Sequence, residues 1–218
     1  MKPIFFSFFA WERHPQGKCE DQQLLNDGTI RGDYRGLLSF SLDEDRAKFW
    51  PDILGTTAGI QLFSDRVRTA FSKEKICGIT FFEAKIVRVD NPNPKLNKTP
   101  RPDYFWGRCD GLVKYDEMIY KERQQTVPIC AEPSEGVDIF HLNRPKGPSG
   151  YICMAKVLEA FHKHGINNLS VKPLDYYEVF NPTSFAPPFR IDVLAKKWPP
   201  AQWYPEGFEP HLNNLEAE

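Results

Sequence analysis

Few side chains in this sequence have the chemistry for catalysis, and they are scattered. Cys109 stands in Cys109-Asp110-Gly111, just past the aromatic run Tyr104-Phe105-Trp106. A thiol at a strand end acts as a nucleophile only with a base in reach, and His141 is the one histidine on a predicted strand. A cysteine-dependent hydrolase or transferase would therefore use Cys109 with His141. The ordinary alternative for the same residues is a buried thiol and an edge histidine. His162 and His164 fall at i and i+2 of a predicted helix, so they point to different faces and cannot chelate one ion. Asp110, Asp116, Glu117, Asp138 and Asp192 could serve as acid and base, but spacing selects no pair. The sequence has no His-Glu-x-x-His, no Gly-x-Ser-x-Gly and no glycine-rich phosphate loop. No catalytic residue, metal or cofactor is expected.

Residues suited to holding a partner are easier to find. Asp43, Glu44 and Asp45 form an acidic triplet, and Trp198, Trp203 and Tyr204 stand in a proline-rich stretch ending near Pro210. Large aromatic side chains dominate interface hot spots. The plainer uses are capping for the triplet, whose acids suit the first turn of a helix over 46–50, and intramolecular packing for the aromatics.

These residues need a scaffold, and the chain writes much of one twice. Val67-Arg-Thr-Ala-Phe-Ser-Lys-Glu-Lys-Ile-Cys-Gly-Ile-Thr-Phe81 lies without a gap over Val157-Leu-Glu-Ala-Phe-His-Lys-His-Gly-Ile-Asn-Asn-Leu-Ser-Val171. Each copy reads as strand, helix, turn and strand. Val67, Ala70 and Phe71 form one apolar stripe, and Val157, Leu158, Ala160 and Phe161 form the other. Ser64 or Asp65 is the expected N-cap of the first helix, and Gly78 and Gly165 the expected left-handed residues after the two helices. Further strands are expected near Phe5, over 36–42, at Tyr104–Trp106, over Asp138–Leu142 and over 176–180, with 16–35 as loop. The run Asp90–Asp103 carries Pro92, Pro94, Pro100 and Pro102; it should be extended, and connections of this length are uncommon unless functional. The expectation is an α+β fold of duplicated strand-helix-strand units, helices packed on a mostly antiparallel or mixed sheet. It forms one domain, 1–218, with copies about 60–89 and 150–180 and an irregular tail 181–218.

Composition narrows the function classes. Of 218 residues 41% are apolar, enough for a substantial core, and 28 basic against 29 acidic residues leave a net charge of −1. A dedicated nucleic-acid binder would carry a basic surplus, so none is expected as partner. Cys19, Cys77, Cys109, Cys130 and Cys153 are odd in number and never in a close pair, which suits reduced, mostly buried thiols. The opening Met1–Trp11 is apolar but gives way to Glu12, Arg13 and His14 without a cleavage signal. No stretch has membrane-span length. A cytoplasmic protein without membrane partners is expected.

The repeat also carries a resemblance. Leu62-Phe-Ser-Asp-Arg-Val-Arg-Thr-Ala-Phe71 with Gly78-Ile-Thr-Phe81, and Asp138–Leu142 with Lys156–Val171, resemble the pattern of polymorphic-toxin immunity proteins of family eleven. Tyr104–Asp110 is similar to that family's strand closed by an aspartate, and the likeness spans about Leu37 to Asp175. Met154-Ala155 replaces Ser64-Asp65 in the second copy, and Asn167-Asn168 replaces Cys77-Gly78. The resemblance implies a protein that binds and neutralises a cognate bacterial toxin in the cytoplasm and is not an enzyme. Asp43, Glu44, Asp45, Trp198, Trp203 and Tyr204 are the expected contacts. The rivals are the Cys109/His141 enzyme and a module that recognises peptides or a second copy of itself, so a homo-oligomer is also allowed.

Overall fold

The computed structural model describes residues 5–10, 15–26, 29–30, 34–45, 47, 49–56, 59–114, 137–144, 147–148, 151–166, 169–173 and 189–191. They form an α+β fold rich in sheet. In chain order the strands are β1 (Phe5–Ala10), β2 (Gln16–Cys19), β3 (Leu25–Asn26), β4 (Thr29–Ile30), β5 (Leu38–Asp43), β6 (Ile53–Gly55) and β7 (Gln61–Ser64). Helix α1 (Asp65–Lys73) follows, then β8 (Ile79–Asp90), β9 (Tyr104–Cys109), β10 (Gly111–Lys114), β11 (Ile139–Arg144), β12 (Gly147–Pro148) and β13 (Ile152–Met154). Helix α2 (Ala155–Lys163), β14 (Leu169–Pro173) and β15 (Phe189–Ile191) complete the set. No helix among the described residues is long and apolar enough to cross a membrane.

Two larger sheets organise these elements. The first runs β10-β11-β13-β1-β14-β15, with β12 beside β11; the second runs β2-β5-β8-β9-β7-β6. In the second, β9 lies between β7 and β8 and pairs antiparallel with both, so α1 carries the chain over β9 to a parallel strand. In the first, β1 lies between β13 and β14 in the same manner, and α2 makes the crossover. The bounds of the two crossovers differ by ninety positions throughout, Asp65 against Ala155, Lys73 against Lys163, Ile79 against Leu169.

The helices form where the stripes demand. Val67, Ala70 and Phe71 of α1 are buried, as are Val157, Leu158, Ala160 and Phe161 of α2. Ser64 caps α1, its hydroxyl accepting the Val67 backbone N–H, whereas Met154 gives α2 no side-chain cap. The ends correct one expectation. The left-handed residue after α1 is Lys75, φ 52°, the counterpart of Gly165 at φ 61°; Gly78, φ 96°, belongs instead to the turn into β8.

The helices meet through counterpart residues. Phe71 and Phe161, ninety apart, stack at 5.5 Å between centroids. Glu74 and His164, again ninety apart, touch at 2.7 Å. Arg66 donates to the Gly165 carbonyl at 2.8 Å, and Lys156 donates to the Lys75 carbonyl at 3.0 Å. Each cation is also paired with an aspartate, Arg66 with Asp52 and Lys156 with Asp138. Residue i meeting j while the counterpart of j meets the counterpart of i is the pattern of an isologous, two-fold interface. These contacts join a core of Phe6, Phe8, Phe63, Ile139, Tyr151, Cys153, Leu169 and Val171 to both helices.

The second sheet has its own interior. Gly17 of β2 bridges Thr56, just beyond β6, so the two edges come together and the six strands curl toward a barrel. Leu38, Phe40, Leu42, Leu54, Leu62, Tyr104 and Trp106 fill it, with Phe82, Ala84 and Ile86 of β8 packed alongside. The segment expected as loop over 16–35 helps close this barrel. β2 pairs with β5 from Gln16↔Asp43 to Cys19↔Phe40, and β3 and β4 form a short ribbon. β2 escapes detection because only Gly17 and Cys19 face inward, which leaves no apolar alternation to read.

Candidate functional site

Of the expected contacts, Asp43, Glu44 and Asp45 lie among the described residues. Trp198, Trp203 and Tyr204 lie outside the described residues, as do the strand expected over 176–180 and Cys130. The acidic triplet starts no helix: none of the described residues over 43–50 is helical. Asp43 ends β5, and its carboxylate accepts the Asp45 backbone N–H at 3.0 Å. Glu44 turns inward, only 3% exposed, and accepts the Asn93 backbone N–H at 2.9 Å. A residue so placed anchors the proline segment and presents nothing to a partner. Asp43 and Asp45 remain exposed.

Cys109 closes β9, partly buried against the main core, and β10 then pairs in parallel with β11 so that Leu112 lies opposite His141. The His141 ring lies 5.1 Å from that of Tyr151, whose hydroxyl donates to the Gly107 carbonyl at 2.5 Å. Burial pushes the Tyr151 phenol far above its usual range, and the charge interaction with Cys109 adds to it. The Cys19 and Cys153 thiols are likewise pushed up by burial, which keeps them protonated and inert. Cys77 is exposed, so mostly buried thiols describe only part of the set. Among the described residues no group of three or more His, Cys, Asp or Glu is arranged to hold a metal ion.

The geometry gathers a different site. The proline segment between β8 and β9 is not simply extended: it makes a 3-10 turn at Leu96–Lys98, with Leu96 buried. Asn93 fixes it below, donating to the Ala47 carbonyl at 2.8 Å, and the Asp103 carbonyl takes the Asp65 backbone N–H at 3.0 Å. Thr99, Pro100 and Pro102 are thereby laid beside the start of α1. Between them opens a groove of about 790 Å³, lined also by Phe49, Trp50, Asp52, Arg66, Thr69, Lys73 and His164. Its volume lies within the range of roughly 300–1,000 Å³ usual for binding clefts.

One network holds the groove floor. The Asp52 carboxylate accepts the Ser64 hydroxyl at 2.8 Å and takes Arg66 on both oxygens, Nε at 3.1 Å and Nη2 closer still. Arg66 is half exposed while Asp52 is almost covered, so the fork is fixed at its base and open at its far edge. At the other end Glu74 takes His164 and Lys163. The hydrogen bond from His164, followed by that from Lys163, holds the Glu74 carboxyl below its usual range.

The proline run, singled out in the sequence for its length, contributes Thr99, Pro100 and Pro102 to the groove. Asp52, Arg66, Thr69, Phe49 and Trp50 were not singled out. No family model matches the chain, and no curated protein matches it.

Proposed function

We propose that this chain is an immunity protein that binds a cognate toxin acting in the cytoplasm and neutralises it by stoichiometric association. The observation that carries this reading is the groove between α1 and the proline segment. Aromatic residues, prolines and an Arg fork with a fixed base make an open, preorganised cleft on rigid elements, the kind of anchor on which protein interfaces concentrate their affinity. An ordinary interface buries about 1,600 Å² in all, so a partner would cover the groove and the surface around it. The resemblance of the repeated segments to immunity proteins points the same way. In this reading the two crossover units are copies of one ancestral unit inside a single domain, and their two-fold packing is what the copies keep in common.

The test is co-expression with the product of the neighbouring reading frame, which such systems are expected to devote to the toxin. Copurification together with restored growth is the expected result. Restored growth without a complex would overturn binding as the mechanism and favour the enzyme reading with Cys109 and His141. Cys109→Ala that still protects would then remove that alternative.

A further inference from the structure

We infer that the groove takes an acidic, extended segment of the partner protein, gripped along the stripe Arg66, Thr69 and Lys73. This rests on the binding reading above and gives the bound segment its chemistry. The three residues fall at i, i+3 and i+7 of α1, hence on one face, and all are exposed. Arg66 uses Nε and Nη2 on Asp52 and the Gly165 carbonyl, which leaves the two N–H groups of Nη1 with no partner among the described residues. Lys73 likewise has no partner among them. The Asp52 charge is already met by Arg66 and the Ser64 hydroxyl. Asp65 is the remaining carboxylate of the lining and sits in the first turn, so acidic groups of the occupant must lie toward Lys73. Phe49, Trp50, Pro100 and Pro102 offer apolar and aromatic surface for the rest of the segment.

The fold contains its own control. Ninety positions on, the face of α2 equivalent to this stripe carries Lys156, Glu159 and Lys163. There Lys156 is tied to Asp138 and the Lys75 carbonyl, and Lys163 to Glu74. A carboxylate stands in place of Thr69, and both ammonium groups are ion-paired. His164 lines the groove on the α1 side, where its counterpart is Glu74. Two faces that share a backbone geometry therefore differ in charge, and the α1 face carries a cation, Lys73, that has no partner among the described residues, whereas Lys156 and Lys163 are both ion-paired. Charge complementarity of this kind sets partner choice and association rate.

The experiment reverses the charge of the α1 face, leaving Arg66 beside two carboxylates. Thr69→Glu with Lys73→Glu is made in the full chain, beside Glu159→Thr as a control on α2, and affinity for the copurified toxin is measured at two salt concentrations. The expected outcome is at least a tenfold loss for the double variant, with a weaker salt dependence, and no change for Glu159→Thr. A folded double variant that binds the toxin as tightly as the parent overturns the groove proposal and leaves the immunity reading standing. Should the parent form no complex, the immunity reading falls and the groove is tested alone. The probe is then a fluorescein-labelled peptide of alternating Glu and Leu, compared with its Lys-for-Glu version. Binding of the acidic peptide that is lost in the double variant supports the groove; equal binding of both peptides, or of neither, overturns it.

Discussion

A double-mutant cycle on Phe71 and Phe161 tests the packing on which both units depend. The rings stack at 5.5 Å with 27° between planes, and the two residues are 2% and 0% exposed. Truncating either to Ala removes a fully packed ring and leaves a cavity, a cost of about 3–5 kcal/mol. For a chain of this size about 1 kcal/mol moves Tm by roughly 2–4 °C, so each single variant should melt about 6–20 °C lower. Phe161 also meets Phe8 edge-on at 5.4 Å, and Phe71 meets Phe81 at 5.9 Å. Those contacts survive in the opposite single variant and cancel in the cycle. What remains is the ring-on-ring term, about 0.5–1.5 kcal/mol, by which the double variant should lose less than the sum of the singles. Urea unfolding with shared m-values supplies the four free energies. A parallel cycle with Leu replacements keeps the double variant folded, since two Ala truncations approach the whole stability of a domain, about 5–15 kcal/mol. Phe71 paired with Phe40, which lies in the barrel interior, should be additive. Additivity of Phe71 with Phe161 to within about 0.3 kcal/mol would refute the two-fold contact.

Three further outcomes follow from particular positions. Gly17→Val places a Cβ 2.9 Å from Thr56 Cγ2 and 3.0 Å from Leu54 Cδ2, where β2 and β6 meet. It should cost about 1–3 kcal/mol in denaturant unfolding, while exposed Lys18→Ala next to it stays within about 0.5 kcal/mol. Lys75→Gly should stabilise by about 0.5–1 kcal/mol, because a left-handed φ strains any side chain, and Gly165→Ala should lose a similar amount. Glu74 titrates below its unfolded value of about 4.3, so its stabilisation is present above that pH and is lost as pH falls through the lower folded value. The Tm gap between the parent and Glu74→Gln should therefore be fully open above the unfolded carboxyl value of about 4.3 and shrink as pH falls below it; a gap that does not change on acidification would disprove the pairing with His164 and Lys163.

What the sequence made legible was local. The stripes of α1 and α2 repeat at helical spacing, so Val67, Ala70, Phe71 and their counterparts announce two buried faces without any knowledge of what covers them. Long strands such as β8 are visible for the same reason. Short strands whose inward residues are Gly17 and Cys19 are not, because their pairing is decided by a distant edge at Thr56. The acidic triplet misleads because a carboxylate run after a strand looks like a helix start. Glu44 is instead satisfied by Asn93, across a separation no capping rule spans. The groove is harder still, since Asp52, Arg66, Pro100 and His164 become neighbours only once the crossover is built.

The same contrast separates the positions of α1 and α2 that pack on one another from those that do not. At positions that face their own counterparts across the two-fold, one residue type must serve both sides of the contact. Phe71 meets Phe161, and a cation from each unit reaches the left-handed carbonyl of the other. Change on one side alone there breaks a matched contact in the core. Thr69 is exposed and Glu159 only partly covered, so packing places a weaker demand on residue type at either position. Glu74 and His164 are the instructive intermediate: they touch, yet they differ, and a carboxylate accepts the N–H that an imidazole can donate, which a second carboxylate could not supply. The pair puts an imidazole on the lining of the groove, held by the Glu74 carboxylate it touches. The groove thus meets α1 where Lys73 stands without a partner among the described residues, while Lys156 and Lys163 on α2 are ion-paired.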